Sequence, residues 1–183
     1  MKEIEVVREY LDYSPDTGEF TWKKASSDKS KVGSRAGRPR SVNGYWQLTL
    51  KGVTYYAHRL AWFHFYGDMP SKHIDHVNGD KGDNRITNLR LASPSENVAN
   101  TGAKRDNTSG SKNVHWCSTK KRWIAKVKRD GKTHHVGTFR EYFPAVHAAE
   151  SARLDIHGEF ASQLGCERDA AIVARPYRGG FRL

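Results

Sequence analysis

The chain has 183 residues, and its 31 Lys and Arg outnumber its 20 Asp and Glu, giving a formal net charge of +11 at pH 7. Apolar residues make up 37% of the sequence, which is too many for a disordered chain. No apolar stretch is long enough for a membrane span, and the first twenty residues are too acidic for a signal peptide. We therefore predict a cytoplasmic protein that is neither secreted nor bound to a membrane.

Two helices, a strand and a hairpin are predicted in the first part of the chain, together with a turn and a basic loop. Apolar residues at helical spacing indicate a helix over residues 2–12. The sequence Ser14-Pro15-Asp16-Thr17-Gly18 has the composition of a turn. The elements that follow are a strand over 19–22, a basic loop over 25–42, a hairpin of strands 45–50 and 53–57, and a buried helix near 60–65.

The second part begins with a short strand ending near His76 and a turn-rich loop over 77–84. Ser93 is expected to cap a helix whose first position is Pro94, with Glu96 completing a capping box. A Gly-, Ser- and Asn-rich stretch predicts a linker over 102–111. The later elements are three strands at 113–117, 122–129 and 133–138 and a helix over 141–157. A tail over 166–183 follows, and its Arg175, Arg178 and Arg182 either contact the DNA backbone or lie in solvent.

Positive charge is concentrated in two blocks. Residues 23–59 contain nine Lys and Arg and one acid, and residues 103–140 contain eleven Lys and Arg and two acids. Two lysine-rich, solvated loops would explain the charge alone. Trp, Tyr and His are interleaved with the charges in both blocks, which favours a surface that binds a nucleic acid.

The residues with the clearest chemical potential lie between His73 and Asn97. Asp75 is an oxygen ligand beside His76, whose ordinary pKa near 6.5 suits a general base. Asn97 lies on the first turn of the Ser93-capped helix and offers a second oxygen ligand. Two oxygen ligands suit Mg²⁺, which keeps several waters and takes other ligands from phosphate. On this interpretation His76 deprotonates a water, and Asn88 holds the His76 loop through backbone hydrogen bonds.

The order Asp-His, then Asn-Leu, then Asn resembles the HNH (His-Me finger, ββα-metal) nucleases, and specifically their homing-endonuclease branch. Residues 13–18, 56–62 and 83–85 are also similar to stretches around that core, so the likeness covers roughly residues 5–101. The resemblance implies metal binding by Asp75 and Asn97, base catalysis by His76, and support by Asn88. It implies one divalent ion, Mg²⁺ with Mn²⁺ able to substitute. Arg59 and Arg85 are candidate phosphate contacts.

No zinc is expected in this protein. Its two cysteines, Cys117 and Cys166, cannot form a four-cysteine site, and neither has a ligand at finger spacing. They also give no disulfide framework, in agreement with a reducing cytosol. If a phage encodes the chain, the expected location is the host cytoplasm.

The strand 122–129 has two distinct faces. Trp123, Ala125 and Val127 are expected to meet the helix 141–157, leaving a basic three-stranded sheet whose open face can enter the major groove. Val114, Trp123, Ala125, residues 137–139 and residues 157–160 together resemble the AP2 DNA-binding domain over roughly residues 109–162. The resemblance implies base and phosphate contacts from this face, and alternation assigns them to His115, Arg122, Lys126, Lys128 and His135.

The predicted fold is therefore α+β. It comprises a ββα-metal HNH nuclease domain over 1–101, with an extra helix and hairpins, followed by the linker. An AP2-like domain over 112–165, with a three-stranded antiparallel sheet on one helix, precedes the tail. The predicted function is homing-type cleavage of double-stranded DNA, either as a nick or, with a homodimer or a second turnover, as a double-strand break. The alternatives are a DNA-binding regulatory protein with an inert nuclease-like domain and a nuclease with little sequence preference.

Overall fold

The computed structural model describes residues 2–27, 30–39, 42–104 and 106–161. Within these ranges the protein is a mixed α/β structure with four α-helices and four small antiparallel sheets. The chain divides into two compact units, Met1–Ser93 and Pro94–Leu183. The mixed fold class is thus confirmed, whereas the ββα-metal and AP2-like arrangements stay predictions. The predicted tail, with its three arginines, lies outside the described residues.

The first unit begins with a helix and a hairpin. Helix α1 spans Lys2–Tyr10, strand β1 spans Leu11–Tyr13, and strand β2 spans Phe20–Trp22. The predicted helix over residues 2–12 is therefore too long by two residues. Leu11–Tyr13 pair antiparallel with β2 instead, because the turn after Tyr13 returns the chain and buries Leu11 and Phe20 in the core.

A second sheet and a buried helix complete the core of this unit. Strands β3 (Arg38–Pro39), β4 (Trp46–Leu50) and β5 (Val53–Tyr56) form the sheet, and β3 was not predicted within the basic loop. Helix α2 spans Ala57–Tyr66, begins earlier than predicted, and ends at Gly67 with a left-handed φ of 90°. The largest fully buried side chains of the unit are Val7, Leu11, Phe20, Leu48, Leu60 and Phe63.

The last hairpin of the first unit carries the predicted catalytic residues. Strand β6 spans His73–His76 and pairs antiparallel with β7, Leu89–Ala92, which follows a 3-10 turn at Ile86–Asn88. In this register Asp75 lies opposite Arg90, and His76 lies opposite Leu89.

The second unit is one sheet covered by a helix. Helix α3 (Pro94–Ala99) precedes strands β8 (Val114–Cys117), β9 (Arg122–Arg129) and β10 (Lys132–Phe139), and β9 lies in the centre of the sheet. Helix α4 spans Tyr142–His157 and is followed by a 3-10 turn at Gly158–Phe160. Its alanines allow close approach to the sheet, and the core consists of Val114, Trp123, Ala125, Ala145, Val146 and Ala149.

The boundary between the two units falls between Ser93 and Pro94. Helix α3, which sequence patterns placed in the first domain, therefore belongs to the second compact unit. The functional limits 1–101, 102–111 and 112–165 stay a prediction, because compactness alone does not define a functional domain.

Candidate active site

Strand β6 brings two adjacent polar side chains into the interior of the first unit. Asp75 is 4% exposed and His76 is 3% exposed, although neighbours on a strand point to opposite faces. Both faces of the strand end are therefore covered. His73, two residues earlier on the same strand, is exposed.

Asp75 forms an ion pair across the hairpin with Arg90. The Nε of Arg90 donates to Oδ2 of Asp75 at 2.9 Å, and Nη2 lies 2.8 Å from the same oxygen. Both side chains are largely buried, at 5% and 14% exposure. The guanidinium of Arg90 therefore compensates the charge of Asp75.

The buried side chain of Asn84 contacts the ring of His76. Asn84 is 2% exposed, and its Nδ2 donates to the carbonyl of Gly82 at 3.0 Å. Its Oδ1 therefore faces Nε2 of His76, in a long hydrogen bond of 3.4 Å. Because an amide oxygen can only accept, this contact is a hydrogen bond in the tautomer that carries the proton on Nε2 and the lone pair on Nδ1.

The surroundings of His76 hold the ring uncharged at neutral pH. Burial lowers the pKa of His76. This effect outweighs the hydrogen bond to Asn84 and the nearby acids Asp75, Asp80 and Asp83, which raise the pKa. A neutral imidazole is the form that can accept a proton.

A group of rings packs against His76. The ring of His58 lies 5.3 Å from that of His76 in an edge-to-face arrangement, and Tyr45 lies 5.9 Å from His76. Burial, followed by the charges of His76 and Arg59, lowers the pKa of His58 to about 3. His58 is therefore neutral and packed. This buried position agrees with packing better than with phosphate contact.

Asn88 joins the two ends of the loop after His76. Its Oδ1 accepts from the backbone N–H of Asn78 at 3.0 Å, and its Nδ2 donates to the carbonyl of Asp83 at 2.8 Å. Its own carbonyl accepts from the N–H of Val77 at 2.9 Å. These are the backbone contacts that a brace of this loop requires, and they connect the exit of β6 to the segment that presents Asn84.

The turn at residues 14–18 supports the same loop from the other side. The hydroxyl of Tyr13 donates to the carbonyl of Asn84 at 2.7 Å, and the N–H of Ile86 donates to the carbonyl of Pro15 at 3.1 Å. A Cβ on Gly18 would lie 2.4 Å from the backbone nitrogen of Arg85. Only glycine permits this approach. Sequence reasoning missed the role of Asn84, although both contacting stretches were among those that resemble the HNH nucleases.

The two arginines predicted to contact DNA from the first unit both have partners. Arg85 forms a bidentate pair with Asp83 at 2.9 and 2.6 Å, and the pair lowers the pKa of the Asp83 carboxyl. Its side chain remains half exposed. Arg59 donates to the carbonyl of Pro70 at 3.2 Å. Contact of either residue with phosphate stays a prediction.

In the second unit, the five residues assigned to DNA contact lie on one face of the sheet. His115 and Ile124 are opposite each other, as are Lys126 and His135, and these positions alternate with the face packed against α4. The other members are Arg122 and Lys128, and all except the partly buried Arg122 are exposed. The expectation of a fully open face is wrong at Ile124, which is 6% exposed on the central strand between His115 and Thr138.

Comparison with known proteins identifies the family. Residues 55–99 match the family model described as HNH endonuclease. The chain is also similar to Protein 3.8 of Escherichia phage T7, with 33% identity over 105 residues that cover 57% of this chain and 86% of that protein. The chain belongs to the HNH endonuclease family. No solved structure matches the HNH protein significantly.

The matched HNH segment runs from β5 to the end of α3 and contains all four predicted catalytic and metal-binding residues. The HNH resemblance and the assignment as a nuclease are therefore confirmed, whereas homing type and the AP2-like likeness stay predictions. The structure brings His76 and Asn88 together around one loop, with Asp75 at its entrance. Asn97 lies on α3, in the second unit.

The donor chemistry of the HNH site fits a hard cation. In the described part of the chain, no three His, Cys, Asp or Glu side chains form a metal-binding group. The predicted donors are instead the carboxylate of Asp75 and the amide oxygen of Asn97, which are oxygen ligands of the kind that Mg²⁺ and Mn²⁺ take. Among the described residues, no helix is long and apolar enough to cross a membrane.

Proposed function

We propose that this HNH protein is a metal-dependent DNA endonuclease of homing type, and that its second unit binds the target through an AP2-like sheet. The observation that carries the proposal is the buried, neutral His76, held by Asn84 and Asn88 beside the carboxylate of Asp75 in the segment that matches the family. The proposed site of action is the host cytoplasm.

In the proposed reaction His76 is the general base. Its Nδ1 takes a proton from a water molecule, whose oxygen forms a bond to phosphorus while the bond from phosphorus to the 3′ oxygen breaks. Asn84 keeps the proton of the neutral ring on Nε2, so that Nδ1 presents the lone pair. Asn88 keeps the loop, and with it Asn84, at a fixed distance from the ring.

Asp75 and Asn97 are the proposed ligands of one divalent cation, Mg²⁺ with Mn²⁺ able to substitute. A bound cation would stabilise negative charge on the scissile phosphate and on the leaving oxygen. In the pair described above, the Arg90 guanidinium contacts Oδ2 of Asp75 and compensates its charge within the hairpin.

DNA binding is proposed to involve both units. On the second unit, the basic face of β8, β9 and β10 carries His115, Arg122, Lys126, Lys128 and His135. Strands and sheets are among the elements by which proteins read a DNA groove. On the first unit, Arg59 and Arg85 are proposed to contact phosphates. Joining two binding surfaces in one chain raises the effective concentration of each at the target.

A metal titration tests the proposal. Supercoiled plasmid carrying flanking DNA from the source genome is incubated with increasing Mg²⁺, or with EDTA, and the open-circle and linear products are measured. Wild type is expected to cut only with the cation, and Asn97→Ala to need more of it at unchanged DNA affinity. Val98→Ala is the matched control, because Val98 is 66% exposed on the same helix.

Three results would contradict the proposal in different ways. Cleavage in EDTA would remove the metal, and an unaltered titration of Asn97→Ala would remove Asn97 as a ligand. Tight, salt-sensitive binding without any product would support the DNA-binding regulatory protein with an inert nuclease-like domain.

A further inference from the structure

Helix α3 is too short to hold its own shape. It has six residues, Pro94–Ala99. Isolated helices below roughly 12–15 residues are marginal in water, because the cost of nucleation is not recovered. Its last carbonyls also lack partners within the helix. The orientation of Asn97 therefore depends on whatever holds the two ends of α3.

A single lysine satisfies the carboxyl end of α3. The Nζ of Lys112 donates to the carbonyls of Val98 at 3.2 Å, Ala99 at 2.7 Å and Thr101 at 2.5 Å. A cation at a helix carboxyl end also interacts favourably with the helix dipole. Burial, followed by the charge of Arg153, lowers the pKa of Lys112 to about 8. The ammonium form that makes three donations is thus still the main form at neutral pH.

The amino end of α3 is attached to the same unit. Ser95 Oγ accepts from the backbone N–H of Asp130 at 3.0 Å. Asp130 lies in the turn that joins β9 to β10, and Lys112 lies two residues before β8. Both ends of the helix are therefore bound to residues that adjoin strands of the basic sheet.

We propose that Lys112 and Ser95 are positioning residues, which fasten α3 to the sheet of the second unit and so set the place of Asn97. The inference rests on the proposed role of Asn97 as a metal ligand. Its consequence is that α3, which carries the proposed ligand Asn97, moves with the sheet that is proposed to bind DNA.

Lys112→Met in the full-length protein tests this inference, because the substitution keeps a long side chain and removes all three donors. The first measurement is hydrogen exchange in EDTA of the amides of Asn100 and Thr101, which donate to Glu96 and Val98 at the end of α3. We expect exchange to quicken about tenfold or more, since hydrogen bonds from a charged group are lost. Lys120→Met, in the exposed β8–β9 turn, is the control and should leave exchange unchanged.

The second measurement is cleavage against Mg²⁺ concentration, with DNA affinity determined separately in EDTA. Lys112→Met should raise the half-saturating Mg²⁺ severalfold at unchanged affinity for DNA, and Lys112→Arg, which retains several donors, should restore part of the difference. If Lys112→Met does not fold, Ser95→Ala removes the amino-end attachment alone and should shift both readouts in the same direction.

The outcomes separate this inference from the proposed function. Wild-type exchange of Asn100 and Thr101 in Lys112→Met would overturn the role of Lys112, whatever the cleavage result. Faster exchange with an unchanged Mg²⁺ requirement would show that α3 does not set the ligand. If the wild-type protein folds but never cleaves DNA, faster exchange in Lys112→Met would support the attachment of α3 to the sheet. The link between α3 and metal binding would then be refuted.

Discussion

Replacing Gly18 with alanine should weaken the first unit far more than an ordinary glycine substitution. Gly18 has φ of 72°, a conformation that costs a residue with a Cβ roughly 1–2 kcal/mol. The added Cβ would also lie 2.4 Å from the nitrogen of Arg85 and 2.5 Å from the carbonyl carbon of Asn84. These backbone atoms lie in a loop that is held by hydrogen bonds from the Tyr13 hydroxyl to the Asn84 carbonyl and from the Ile86 N–H to the Pro15 carbonyl. Relief therefore requires displacement of the loop, at about 1–3 kcal/mol.

The two costs add to about 2–5 kcal/mol for Gly18→Ala, to be measured as the change in unfolding free energy in urea. Gly67→Ala is the matched control. Gly67 has φ of 90°, and no atom lies within 4 Å of the place that an added methyl group would take, so only the roughly 1–2 kcal/mol of backbone strain applies. Equal losses for the two variants would refute the close packing of the turn on the Asn84 loop. Cleavage by Gly18→Ala should also fall below that of Gly67→Ala.

Three further predictions concern separate parts of the molecule. Burial lowers the pKa of His64 from 6.5 to about 4. The free energy of unfolding should therefore be highest above about pH 6.5 and fall by at most about 3 kcal/mol towards pH 4. His64→Phe should flatten this pH dependence, measured by urea titration. Replacing both Lys126 and Lys128 with alanine should reduce the slope of log DNA affinity against log salt by about one per lost phosphate contact. An unchanged slope would show that DNA does not bind through this face. Asn84→Ala should slow cleavage about tenfold or more at constant DNA affinity, and an unaltered rate would remove Asn84 from the orientation of His76.

Local patterns predicted most elements of the protein because their causes are local. The Ser93-Pro94-Ser95-Glu96 sequence correctly predicted the start of α3, and the alternation of β9 correctly separated the packed face from the basic one. The helix over residues 2–12 was too long, since Leu11 fits a helical stripe equally well. The pairing of Leu11 with β2 depends on the turn at residues 14–18, which lies outside the segment that has helical spacing.

The contacts within the site could be predicted only in part. The spacing of Asp75, His76 and Asn88 was sufficient to find the loop, because its chemistry lies in one continuous segment. The pair of Asp75 with Arg90 depends on the register between β6 and β7. The two residues are 15 positions apart, and local sequence patterns do not give that register. The support of Asn84 by Tyr13 depends on a contact 71 residues apart in sequence. Ile124 likewise becomes buried only after three strands assemble.

His76 is the proposed general base, and plasmid cleavage by His76→Ala tests this role. With Mg²⁺ present, the variant should cut about 100- to 10,000-fold more slowly than wild type while binding DNA equally well in EDTA. His73→Ala is the control, since His73 is exposed on the same strand and should leave the rate unchanged. Cleavage by His76→Ala at nearly the wild-type rate would contradict the account.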